Sequence, residues 1–245
     1  MPVFALFRVS VRQALPFRRT LALALLQTGP ALVYLFATQG RTERAALEGV
    51  VEIGVTTYFA LVLPITAIVI AAGALGHERR DMTLSFIALR PMPRSAIAAA
   101  KTAAPMTASI ALTAGGALLL GGLHFVRFGD ASLIPGLIVG TIVANLAYAA
   151  IYVPLGFLTD RAVIIGIGIL LVFENGIAFA LTGLAYLSPW RLGVSVFASM
   201  TEEAASFLDS ATAPYDTADA LLYAAVYLVL SLTATTLLLR TRDLA

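Results

Sequence analysis

Glu174 stands alone as an acid deep in an apolar run, LLVFENGIAFAL, and is followed by Asn175 and Gly176. A carboxylate at the centre of a membrane helix costs about 2.5–3.5 kcal/mol to insert, so it must face protein or water. There it could line a polar path or a contact between two copies of the chain, or it could take up a proton. It could equally make a structural hydrogen bond to a neighbouring helix, with Asn145 as the partner. The remaining candidates for chemistry are few. The chain has no cysteine, which excludes disulfides, thiol catalysis and thiolate metal sites. His77-Glu78 begins like a His-Glu-x-x-His zinc helix, but Asp81 stands where the second His is needed. The pair Glu202-Glu203 lies outside the apolar runs, with no Arg at the spacing that paired-glutamate chemistry uses. These absences argue against an intramembrane enzyme. Gly-x-x-x-x-Gly-Lys-[Ser/Thr], the backbone cradle for nucleotide phosphates, does not occur, and the one lysine is Lys101.

The elements that must position these residues are set by composition. Hydrophobic residues make up 60% of the 245 and charged residues 12%, and mean hydropathy is +0.92. Globular chains are about half apolar and about a quarter charged, so the solvent here is mostly lipid. A bilayer core of about 30 Å needs about 20 apolar residues in helix. Six segments qualify: 20–38, 53–76, 98–123, 133–158, 163–187 and 219–239. None alternates as a lipid-facing barrel strand would. The expected class is an all-α polytopic membrane protein with six transmembrane helices in a single domain, 1–245. The basic residues ahead of the first span are spread too widely for a cleavable signal peptide.

Charge sets the orientation. Twelve of the sixteen basic residues fall in the N-terminal segment, the 77–101 connection, the 159–162 turn and the C-terminus. The other four are Arg41, Arg44, Arg127 and Arg191. The positive-inside rule then places both termini and the 77–101 connection in the cytoplasm. On this topology His77 and His124 lie on opposite sides and cannot share a metal or a proton relay. A net charge of +2 gives no reason to expect nucleic acid. Ahead of the first span, residues 2–17 repeat Phe4, Phe7, Val11 and Leu15 at helical spacing, with Arg8, Arg12 and Arg19 on another face. That pattern predicts an interfacial amphipathic helix between Pro2 and Pro16; the alternative is a disordered basic leader.

The longest cytoplasmic connection, GHERRDMTLSFIALRPMPRSAIAAAK, interrupts two apolar runs. Glu78, Arg79, Arg80 and Asp81 would continue the second span into water. MTLSFIAL is a short apolar insert, and Arg90-Pro91-Met92-Pro93 must leave the helix because a residue before proline is pushed out of the α region. Ser95 is the expected N-cap of the next helix. An apolar knob on stiff arms reads as a docking surface for another protein, whereas topology signals alone would explain Arg79 and Arg80 but not the insert or the prolines.

The run Glu78-Arg79-Arg80-Asp81-Met82-Thr83-Leu84, then Arg90-Pro91-Met92-Pro93-Arg94 and Lys101, resembles the signature of ABC-2 type transporter permeases, with Met82 where that family usually has Gly. The resemblance covers essentially the whole chain. It implies the membrane subunit of an ATP-driven ABC exporter whose 77–97 coupling loop docks on a separate ABC ATPase. Carried over, Glu78 and Arg79 make polar contacts, Thr83, Leu84 and Phe86 belong to the element seated in the ATPase, and Pro91 and Arg94 hold the turn. It also implies no cofactor in this chain, ATP and Mg being held by the ATPase. A second permease copy is the implied partner, as a homodimer or a heterodimer, in a multi-pass position in the cell inner or plasma membrane. An ATPase-coupled sensor that does not transport is the alternative. The apolar pathway favours a hydrophobic or amphiphilic cargo. Connection 188–218 is too polar to cross; Trp190, Val194, Phe197 and Phe207 predict short extracytoplasmic helices rather than a mobile loop, with Trp190-Arg191 as an interfacial anchor. Gly136-x-x-x-Gly140 offers a close-packing surface.

Overall fold

The computed structural model describes residues 2–80, 92–177, 187–208 and 212–241. All regular structure among them is helical: α1 (Pro2–Ala14), α2 (Phe17–Ala37), α3 (Glu43–Ile53), α4 (Leu63–Arg80), α5 (Arg94–Phe128), α6 (Leu133–Leu158), α7 (Ala162–Ile169), α8 (Pro189–Ser199), α9 (Glu202–Phe207) and α10 (Thr217–Thr241). Two segments wind wider, as π-helix: Gly54–Val62 joins α3 to α4, and Leu170–Ile177 continues α7. Five helices are long and apolar enough to cross a membrane: Phe17–Ala37, Glu43–Gly73, Arg94–Phe128, Leu133–Leu158 and Thr217–Arg240. Ala162–Glu174 is shorter, and part of the expected 163–187 span, residues 178–186, lies outside the described residues.

Large apolar residues face outward as well as inward. α2 and α10 expose lines of large apolar residues, including Leu21, Leu25, Leu32 and Phe36 on one and Leu222, Val226, Val229 and Leu230 on the other. The interior holds Gln27, Thr66, Ser109, Thr113, Thr141 and Asn145, all buried. Lipid is as apolar as leucine, so helices in a bilayer are joined by close packing and buried hydrogen bonds rather than by apolar burial. α6 lies at the centre, packed against α4, α5, α8 and α10. Its residues Leu137, Ala144, Tyr148, Tyr152 and Val153 join Phe59, Ile68 and Phe197 in the main core.

Two helix ends show how sequence sets the boundaries. α5 runs through the buried Pro105 and stops at Gly129, whose φ of 78° is left-handed; the Gly129 N–H donates to the Phe125 carbonyl at 2.7 Å. A side chain there would be strained. Arg127, in the last turn of α5, donates to the Thr38 hydroxyl at 2.7 Å and to the Thr38 carbonyl at 2.8 Å, which ties the ends of α2 and α5 together. α5 starts at Arg94, with Pro93 in the N-cap position at φ −64° and ψ 140°. Ser95, the expected cap, lies inside the first turn. The proline ring already fixes the geometry a capping residue needs, so the helix begins earlier.

α1 corrects a second expectation. Leu6, Ser10 and Ala14 form its buried line, against α5 and α4. Phe4 is 69% exposed and shares the outward face with Arg8 and Arg12. Packing against another helix selects the side that carries the small residues Ser10 and Ala14, and turns the Phe4 side outward. At the other end of the chain, α8 is buried along nearly its whole length.

Candidate functional site

Two buried polar clusters and one connection hold the residues singled out from sequence. The first cluster surrounds Asn145 on α6. Its amide NH₂ donates to the Thr113 hydroxyl at 2.8 Å and to the Thr141 carbonyl at 3.1 Å, while the Ser109 hydroxyl donates to its carbonyl oxygen. The Tyr58 hydroxyl, from the π-helical Gly54–Val62 segment, donates to the Thr113 carbonyl at 2.6 Å and lies 3.0 Å from the Thr141 hydroxyl. One side-chain amide thereby links α5 to α6, and Tyr58 brings in the α3–α4 unit. A neighbouring bond adds α2: the Gln27 amide donates to the Thr66 hydroxyl at 2.7 Å.

Glu174 belongs to the second cluster. The structure does not pair it with Asn145, because α6 presents Asn145 to α5 and presents Tyr148 to the α7 side. The Tyr148 hydroxyl donates to the Glu174 carboxylate at 2.6 Å, and the Ser188 hydroxyl approaches the same oxygen at 3.4 Å. Tyr148 stacks on Tyr152 with ring centroids 6.1 Å apart. Arg191, in the first turn of α8, is buried nearby, with its guanidinium 5.4 Å from the centroid of the Trp190 ring. Arg191 is therefore packed within the bundle, with Trp190 half-buried beside it. The Tyr227 hydroxyl of α10 donates to the Leu187 carbonyl at 2.9 Å, just before α8. Glu174 thus sits where α6, the π-helical end of α7 and the start of α8 meet. Sequence reasoning missed Tyr148 as its partner. The available signal was a tyrosine one helical turn beyond Asn145, too general to select it. Asn175 follows in the same π-helical segment.

The connection is described at its two ends. Glu78 and Arg79 lie in the last turn of α4. Thr83, Leu84, Phe86 and Pro91 lie outside the described residues. Arg94 opens α5, and its guanidinium donates to the Leu239 carbonyl near the end of α10. A charge-assisted bond to a carbonyl of a helix's last turns satisfies a group that has no intrahelical partner. The exit of the connection is therefore fastened to the last helix. Lys101, two turns further along α5, is 1% exposed.

Close backbone packing holds α8 in place. A Cβ on Gly136 would come within 2.6 Å of the Thr201 hydroxyl and 3.1 Å of Phe197, so the Gly136–Gly140 surface of α6 is covered by α8 and the residues after it.

A family model described as ABC-2 family transporter protein matches residues 16–176. That stretch runs from the start of α2 through the Asn145 cluster to Glu174 and Gly176, includes the whole 77–101 connection, and ends before Ser188 and Arg191 of the second cluster. No curated protein matches the chain.

Proposed function

The chain belongs to the ABC-2 family of transporter proteins, a membrane transport component, and from that premise we propose that it is the permease subunit of an ATP-driven exporter. ATP and Mg are held by a separate ABC ATPase, and two permease copies form the membrane part. The chain crosses the inner or plasma membrane six times with both termini in the cytoplasm, residues 163–187 forming the fifth crossing. Twelve basic residues on one side against four on the other support that orientation.

The observation that carries this reading is the placement of the 77–101 connection. It lies within the family match, with its first residues in the helix that ends at Arg80 and its last in the helix that starts at Arg94, where Arg94 is bonded to α10. A segment that enters from one helix and leaves into another, the second fastened to α10 through Arg94, can pass a push from an ATPase into those helices, which an unsupported loop would absorb. Glu78 and Arg79 make the polar contacts, Thr83, Leu84 and Phe86 are the seated element, and Pro91 and Arg94 hold the turn. The cargo is hydrophobic or amphiphilic. The test is co-purification of the chain with ATPases encoded beside it, for the parent, for Glu78→Ala and for Leu84→Ser with Phe86→Ser. The reading expects an ATPase to be retained by the parent and released by both variants while the permease stays folded. Equal retention by all three contradicts it.

A further inference from the structure

The outward face of α1 carries Phe4, Ala5, Arg8, Val9 and Arg12, all exposed, with Phe4 at 69% and Val9 at 51%. Past Pro16, Phe17 is 79% exposed and Arg18 is exposed as well. From Phe17 an exposed apolar line follows α2 through Leu21 and Leu25. No Asp or Glu precedes Glu43 in the sequence, and among the described residues no carboxylate pairs with Arg8, Arg12 or Arg18. Arg19 differs from these three. It is partly buried, and its guanidinium donates to the Ala14 carbonyl at the end of α1, which fixes the corner between α1 and α2.

We infer that this face is a binding site for anionic phospholipid, with Arg8, Arg12 and Arg18 holding the headgroup phosphate and Phe4, Val9 and Phe17 entering the acyl boundary. Three observations favour a lipid over a protein partner. Past the Pro16 corner the next helix, α2, exposes an apolar ridge of its own from Phe17 through Leu21 and Leu25, the kind of face that lies against hydrocarbon. The arginines lie among apolar side chains, where a long stem can lie along the acyl boundary while its guanidinium reaches the headgroups. The face carries positive charge alone, as clusters of basic residues beside a membrane helix do when they recognise anionic lipid. The buried line Leu6, Ser10 and Ala14 packs on α5 and α4, so lipid held on the outer face presses α1 onto the two helices that flank the 77–101 connection. The inference needs α1 at the membrane surface but does not need ATPase docking.

The test uses the purified full chain in detergent, titrated with phosphatidylglycerol or with phosphatidylcholine, and counts bound lipid by native mass spectrometry. The variants are Arg8→Gln with Arg12→Gln and Arg18→Gln, and, as a control for lost charge elsewhere, Arg41→Gln with Arg44→Gln. The parent and the control should prefer phosphatidylglycerol. Each arginine removed from the α1 face should weaken retention about fivefold at low salt, and inorganic phosphate should compete poorly because it lacks the acyl chains. Thermal unfolding in detergent checks that the triple variant remains folded. Equal retention of both lipids by the parent overturns the inference, as does an unchanged preference in the folded triple variant. A triple variant that keeps its lipid but loses the ATPase assigns the face to protein and overturns it too.

Discussion

Gly140 on α6 and Gly193 on α8 bring two helix backbones into direct contact. A Cβ on Gly193 would come within 2.6 Å of the Gly140 carbonyl oxygen, and one on Gly140 would come closer still to the Gly193 carbonyl. Neither neighbour is a flexible side chain that could swing away. Alanine favours a helix interior by up to about 1 kcal/mol over glycine, but overpacking a close contact costs about 1–3 kcal/mol. Gly140→Ala and Gly193→Ala should each lower the thermal midpoint in detergent, whereas Gly122→Ala, where a Cβ meets nothing within 4 Å, should not.

Glu174 should respond differently to isosteric and apolar replacement. Glu174→Gln keeps an oxygen that can accept from Tyr148, so stability should change by less than about 1 kcal/mol. Tyr148→Phe removes the 2.6 Å donor and leaves the buried carboxylate without its shortest bond. Its cost should be about 1–3 kcal/mol. Loss of transport in Glu174→Gln with stability intact would assign the carboxylate to the transport path; full transport would assign it to holding α8.

Asn145→Ala removes the bonds to Thr113, Thr141 and Ser109 together. Interhelical hydrogen bonds in membranes are worth about 0.6–2 kcal/mol, so this variant should unfold more readily by at least that amount. Asn145→Gln should not rescue it, because the longer side chain cannot fit the same three partners. Unfolding in detergent followed by circular dichroism measures both.

Asp130 gives a pH dependence. It lies between α5 and α6, and the backbone N–H of Ser132, which it accepts at 2.9 Å, holds its carboxyl below the usual value of 3.8. The Ser132 hydroxyl donates to the second oxygen at 2.9 Å, and the His124 ring lies 3.7 Å away. A depressed folded-state value adds stability that is complete above 3.8 and is lost as pH falls through that value toward the folded one. The thermal midpoint of the parent should therefore fall more steeply below about pH 4 than that of Asp130→Asn. Parallel curves for the two proteins would remove this role from Asp130.

The fold was largely legible because long apolar runs need no partner to be recognised. α2, α6 and α10 start and stop near the limits the hydropathy pattern predicts. α8 and α9 form the short helices that Trp190, Val194, Phe197 and Phe207 predict, but the near-complete burial of α8 was harder to read, because the polar stretch around Glu202 and Glu203 makes the connection look surface-exposed. That burial depends on Gly193 meeting Gly140, a contact between positions far apart in the chain. α3 was missed for a similar reason: Glu43, Glu48 and Glu52 make it polar, yet it runs directly into the next span. At the candidate site, the chemistry pointed to Glu174 and Asn145 as buried polar residues, but not to their partners. A helix of 3.6 residues per turn puts Asn145 and Tyr148 about 60° apart, enough to face different neighbours.

Coupling to an ATPase depends most directly on the apolar insert of the 77–101 connection meeting that protein. A photo-crosslinking residue placed at Phe86 in the intact cell, with a control at Phe207 of α9, reads that contact without purification. A permease coupled through this insert gives a light-dependent adduct between the chain and an ATP-binding protein from Phe86 and none from Phe207. Adducts with lipid alone from Phe86, in cells that make the neighbouring ATPase, would contradict that coupling.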